Sequence, residues 1–237
     1  SFSYSDVFNY LLGVLIINYV YENGYLQNDV KTVQKEINPT MRLELAVLKK
    51  LDLHWVMLIS VRIFILISLL GLYYLVDFDS FKTLYLLSVS LLLQGLYLLY
   101  NSVRNRINLL LILPLSYIRF YGFILPFIPV EASVEFLCFT ILLYPISKTL
   151  EFSRQEKFRL PLLSKAVGNI DVFRIKYYFF IAFLLLILVL VGVLDSWIYT
   201  VVACYYLTYR IIGFLLIARK QSILLEFKTL SKSDYRN

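Results

Sequence analysis

Residues Leu53–Val76 read LHWVMLISVRIFILISLLGLYYLV, and their reading decides the fold. An apolar run of this length crosses a hydrocarbon core of ~30 Å as a helix. The apolar residues are continuous rather than alternating, which favours a helix over a barrel strand. Six further runs follow the same pattern: Val7–Tyr21, Thr83–Tyr100, Ile107–Val130, Ala132–Ser147, Tyr177–Leu194 and Trp197–Ala218. The whole chain of 237 residues is 60% hydrophobic and only 16% charged, too apolar for a soluble domain that must cover itself with polar surface. The expected fold is therefore an all-α integral membrane protein, a bundle of about seven spans forming one transmembrane domain over 1–237. The chain opens on Ser1 with an apolar run almost at once, which leaves room for an upstream segment such as another helix.

The basic residues set the orientation. Nineteen of the 23 Lys and Arg fall on one side of the expected bundle, in loops 22–52, 101–106 and 148–176 and in the tail 219–237. The other side carries Lys82 with Asp6, Asp77, Asp79, Glu131, Glu135 and Asp195. By the positive-inside rule the basic side is cytoplasmic, the visible N-terminus outside and the C-terminus inside. The expected location is the bacterial cytoplasmic (inner) membrane. The net charge of +7 is accounted for by these loops and by the anionic lipid they meet, so no nucleic acid is implied. Cys138 and Cys204 lie inside apolar runs and read as small packed residues rather than a disulfide framework. His54, beside Trp55, reads better as an interfacial anchor than as a ligand. No zinc-type spacing, phosphate-binding glycine loop or Gly-x-Ser-x-Gly elbow is present.

Three arginines, Arg62, Arg119 and Arg210, fall near the middle of spans. A charge there costs at least ~2.5–3.5 kcal/mol on insertion scales, so each should face protein or a wet cavity. Together they would suit an anionic ligand, since the guanidinium fork matches phosphate. Bonding to backbone carbonyls is the alternative, and for Arg119, between Pro114 and Pro126, the two are even.

The cytoplasmic loops hold a second set. Tyr25–Leu43, YLQNDVKTVQKEINPTMRL, offers Asn28, Asp29 and Glu36, with Arg42 beyond. Asp29 and Glu36 are seven apart and share a helix face, where two carboxylates and an amide could hold magnesium. On spacing alone, a solvated loop of alternating charges explains them better. Ser147–Pro161 carries Lys148, Glu151, Arg154 and Gln155 on a charged helical face, either a salt-bridged surface or one wall of a headgroup pocket. Arg104 and Arg106 stand at a membrane edge and suffice as orientation charges.

The loop after the first span resembles the first signature of the UbiA superfamily of intramembrane prenyltransferases. Asn28-Asp29 match its start, Thr32 stands where the second aspartate belongs and Glu36 where the third belongs, and Asn38-Pro39 and Arg42-Leu43 complete the echo. Tyr100–Arg106 is similar to the basic stretch between two later helices of that family. The second charged loop lacks the usual pair of aspartates. Its Lys148-Thr-Leu-Glu151 is closer to the branch that makes polyprenyl-phosphate phosphoribose. The resemblance implies a helical bundle around a central cavity and a transferase acting on a polyprenyl phosphate or diphosphate. The second substrate would be an aromatic acceptor or a phosphoribosyl donor. It implies magnesium on Asp29 and Glu36, phosphate contacts from Asn28, Arg42, Arg104, Arg106, Lys148 and Arg154, and catalytic roles for Asp29 and Glu151, the latter orienting the acceptor or a basic partner. Arg119 joins the phosphate set from the mid-span reading. The partners would be a polyprenyl lipid and the surrounding membrane lipids. A second expectation, from Thr32 and the missing aspartates, is a non-catalytic membrane subunit of the same fold that has lost its metal site and serves a protein partner. A small-solute transporter ranks third, since no second half mirrors the first.

Overall fold

The computed structural model describes residues 4–32, 43–103, 106–155, 158, 160–194 and 196–233, with 77, 130 and 218–233 described by backbone alone. The described residues form helices and turns, with no strand among them. In chain order these are α1 (Tyr4–Gln27), a π-helical turn (Asn28–Thr32), α2 (Leu45–Leu53), α3 (Trp55–Asp77), α4 (Ser80–Ser102) and α5 (Ile107–Tyr121). Two 3-10 turns, Leu125–Phe127 and Val130–Ala132, lead to α6 (Ser133–Leu143), α7 (Pro145–Ser153), α8 (Pro161–Val167), α9 (Ile170–Leu190) and α10 (Ile198–Ser233).

Five helical stretches among the described residues are long and apolar enough to span a membrane: Trp55–Val76, Ser80–Ser102, Ser133–Ser153, Ile170–Leu190 and Ile198–Ile217. Their surfaces agree with that reading. On α3, Val56, Met57, Phe64, Ile67 and Leu75 are all exposed. Such a surface in water would be a continuous apolar patch far beyond what soluble monomers carry, whereas in lipid it costs nothing. The protein is an integral membrane protein.

The boundaries differ from the hydropathy reading for local reasons. The run expected as one span over Ile107–Val130 is a helix only to Tyr121. Pro126 and Pro129 remove backbone donors, and the chain passes through 3-10 turns instead. The run Ala132–Ser147 continues to Ser153 across a break at Tyr144, directly before Pro145. α9 begins seven residues before the expected Tyr177 because the Asn169 side chain caps it, accepting from the Asp171 and Val172 amides at 2.9 and 3.1 Å. α1 is about 36 Å long by its rise per residue. It is less apolar than the five, and it is the helix around which its neighbours pack.

The chain divides into two compact units, Ser1–Thr149 and Leu150–Asn237. In the first, α1 packs on α3, α4 and α5, and Ile16, Ile17, Tyr73, Leu86, Leu93 and Leu115 fill the core between them. In the second, α9 and α10 form a hairpin whose turn places Gly192 at φ 74°, a conformation that other residues rarely adopt. Tyr178 and Tyr206 stack across that hairpin at 5.4 Å, over buried Ile181, Leu185 and Ala203.

Gly24 lets α1 and α4 approach closely. A Cβ there would lie 2.2 Å from the ring of Tyr97 on α4, and the Gly24 carbonyl accepts from Asn101 Nδ2 at 3.1 Å. Gly95, by contrast, faces open space. Gly24→Ala should therefore destabilise the purified protein by about 1–3 kcal/mol through overpacking. Gly95→Ala should leave it unchanged or slightly more stable. Thermal unfolding in detergent checks the pair, and equal midpoints would contradict this packing.

Candidate functional site

The π-helical turn Asn28–Thr32 stands where α1 leaves the apolar core. Turns of this kind insert an extra residue into the helix and are frequent at functional sites. Here the insertion is held by Thr32, whose hydroxyl donates to Asn28 Oδ1 at 2.8 Å and to the Asn28 carbonyl at 3.0 Å. The result places Asp29 inside. Its residue is 7% exposed, and among the described residues its carboxylate meets only the Asn28 amide, at 3.5 Å. Lys31, two positions on, is exposed instead. It pairs with Asp52 of α2 and lies 5.4 Å over the Trp55 ring, tying the turn to the following helices. A buried carboxylate with one long hydrogen bond among the described residues is a place where a cation would be favoured.

Of the two expected metal ligands, Asp29 is thus buried in the turn, while Glu36 lies outside the described residues. Among those that are described, no group of three or more His, Cys, Asp and Glu side chains forms a metal centre. Asp29 and the Asn28 amide supply a partial oxygen set, which magnesium could use only with further oxygens from Glu36, water or a phosphate. Arg42 and Arg104 also lie outside the described residues. Arg106 is exposed at the start of α5, and Lys148 is half-buried on α7.

In the second unit Glu151 is spoken for. Both its oxygens accept from Arg174 of α9, from Nε and Nη2 at 2.8 Å each, and Arg174 Nη1 reaches Asp171 at 3.2 Å. Glu151 is buried and the Arg174 side chain is 24% exposed, so this bidentate pair is a fixed joint between α7 and α9. Glu151 thus has a basic partner in Arg174. Arg154, just past α7, is exposed. Arg174 falls in the stretch 148–176, where orientation alone accounts for the basic residues; Asp171, three residues earlier on the same helix, is the sequence signal that it is paired.

Arg62 and Arg210 lie within helices long enough to span, whereas Arg119, expected near the middle of a span over Ile107–Val130, lies in the last turn of α5; the three are held in different ways. Arg62 on α3 donates to the Tyr19 carbonyl at 3.0 Å and to Asn23, and stacks 4.3 Å over the Tyr19 ring. Arg119 on α5 stacks 3.9 Å over the Tyr21 ring and has Tyr25 and Tyr97 as electrostatic neighbours. Tyr19 and Tyr21 are two residues apart on α1, so they point to opposite flanks. Arg62 and Arg119 therefore do not converge. Arg210, in the second unit, faces Tyr209 at 5.4 Å and Tyr178 at 5.9 Å, with a buried Nε that finds no acceptor among the described residues. Besides Phe120 on its own helix, at 5.3 Å, the aromatic neighbours of Arg119 come from α1 and α4 rather than from Tyr117 and Tyr121, and spacing within one helix could not have named those.

No family model matches the chain, and no curated protein or solved structure is similar to it.

Replacing Glu151 by Ala should destabilise the protein by about 1–3 kcal/mol, below the full cost of an uncompensated buried charge because Arg174 is partly exposed. Glu151→Met combined with Arg174→Met should recover most of that loss. Thermal unfolding of the single and double variants tests it. A double variant less stable than Glu151→Ala would show that the pair is not a closed unit.

Proposed function

We propose that the chain is a UbiA-like intramembrane transferase that acts on a polyprenyl phosphate or diphosphate, with an aromatic acceptor or a phosphoribosyl donor as second substrate. The observation that carries the reading is Asp29, a carboxylate buried in a π-helical turn with one weak partner among the described residues. It sits in the segment that resembles the family's first diphosphate signature. In this reading Asp29 and Glu36 hold magnesium, which would neutralise charge on the diphosphate. Asn28, Arg42, Arg104, Arg106, Lys148 and Arg154 bind its oxygens, and Glu151 holds Arg174 in place. The bundle has about seven spans around an apolar cavity that takes the isoprenoid tail, with its basic loops in the cytoplasm of a bacterial cell.

A second reading has specific support of its own. Thr32 spends its hydroxyl on Asn28, and Glu151 spends both oxygens on Arg174, so two motif positions serve structure. That is what a non-catalytic membrane subunit, which has lost the metal site and binds a protein partner, would retain.

Thermal unfolding of the detergent-purified protein with magnesium and a short prenyl diphosphate separates the two. A ligand at about a hundred times its Kd adds about 2.7 kcal/mol, a shift of several degrees for a chain of this size. The transferase reading expects that shift to require magnesium and to vanish in Asp29→Asn. The subunit reading expects no shift in a folded wild-type protein.

A further inference from the structure

The first unit holds a second polar feature. Arg119 lies in the last turn of α5. Its guanidinium carbon lies 3.9 Å over the Tyr21 ring and 5.3 Å from the centre of the Phe120 ring. Tyr25 and Tyr97 complete its surroundings, with Tyr21 packed edge-on to both, at 5.1 and 4.8 Å. The Tyr21 and Tyr25 hydroxyls are 3.3 Å apart, so one donates to the other. Among the described residues no carboxylate pairs with Arg119; the Tyr21 hydroxyl is a neutral hydrogen-bond partner for its guanidinium, and its buried Nε–H has no acceptor.

Ring faces offset part of a buried cation's charge but accept no N–H in the plane of the fork. The unmet requirement is an oxyanion, which the guanidinium edge would take bidentately. A single cation balances a single negative charge. The apolar setting of α5 favours a group carried in on a hydrocarbon tail over a free, strongly hydrated ion. We propose that Arg119, with Tyr21, Tyr25 and Tyr97, forms an intramembrane site for the singly charged oxyanion of an amphiphile, a phosphodiester or a carboxylate. Arg119 binds the anion, and the tyrosine hydroxyls donate to it. The site does not include Asp29, and it stands whether or not the chain is a transferase.

The test is thermal unfolding of the full chain in a neutral detergent, titrated separately with short-chain phosphatidylglycerol, decanoate, short-chain phosphatidylcholine and inorganic phosphate. The proposal expects phosphatidylglycerol or decanoate to raise the midpoint, and the stronger of the two names the headgroup chemistry. Arg119→Gln should weaken that ligand by about tenfold or more, the loss of a charge-assisted pair. If Arg119→Gln does not fold, Tyr21→Phe with Tyr97→Phe, which keeps the rings and removes the hydroxyls, should still cut the shift by half or more. Asp29→Asn should leave it intact, which separates this site from the diphosphate loop. The proposal is overturned if neither amphiphile stabilises the wild-type protein, or if phosphatidylcholine or inorganic phosphate does so equally. Undiminished binding by the Arg119→Gln chain, or by the tyrosine pair variant where that one does not fold, would sink it as well.

Discussion

In lipid no water is at hand to satisfy a polar group, so every buried charge and amide must find its partner in the protein. Much of the first unit follows from how α1 meets that demand. One flank of α1 offers Tyr19 and Asn23 to Arg62 of α3. Another offers Tyr21 and Tyr25 to Arg119 of α5. Between them Gly24 bares its backbone so that the Tyr97 ring and the Asn101 amide of α4 can approach. α1 is less apolar than the spanning helices in part because it carries these groups, and one side of it, with Ile16, Ile17, Val20 and Gly24, is buried against its neighbours.

The apolar runs in the sequence were enough to name a helical membrane protein, since nothing but hydrophobic length is needed for that. Where helices stop was less legible. Ile107–Val130 looks uniform in hydropathy, yet Pro126 and Pro129 turn its second half into 3-10 structure. α9 gained two turns from an Asn169 cap that hydropathy does not register. At the candidate site, Asp29 was legible as a chemically significant residue, but its burial depends on a π-helical insertion held by Thr32, and no periodicity argument anticipates that. The partners of Arg119 and Glu151 were illegible because they come from other helices. Tyr21, Tyr97 and Arg174 are ordinary residues until the packing brings them close.

Two buried carboxylates have opposite circumstances, and the contrast bears on function. Glu151 has its charge fully answered by Arg174 and holds two helices together. Asp29 is as deeply buried, with one amide at 3.5 Å among the described residues. A carboxylate that is satisfied is structure, while one with a single long contact among the described residues is a candidate site. The same logic singles out Arg119 over Arg62 in this unit, since Arg62 already has its acceptors.

The measurement that bears most directly on this account is the infrared difference spectrum of the purified protein with and without magnesium, taken for the wild-type chain and for Asp29→Asn. If Asp29 is the carboxylate that receives the cation, magnesium will shift a carboxylate band in the wild-type protein, and the variant will lack that change. An identical response in both proteins, or none in the wild type, would contradict the role given to Asp29 and leave the π-helical turn as a structural element alone.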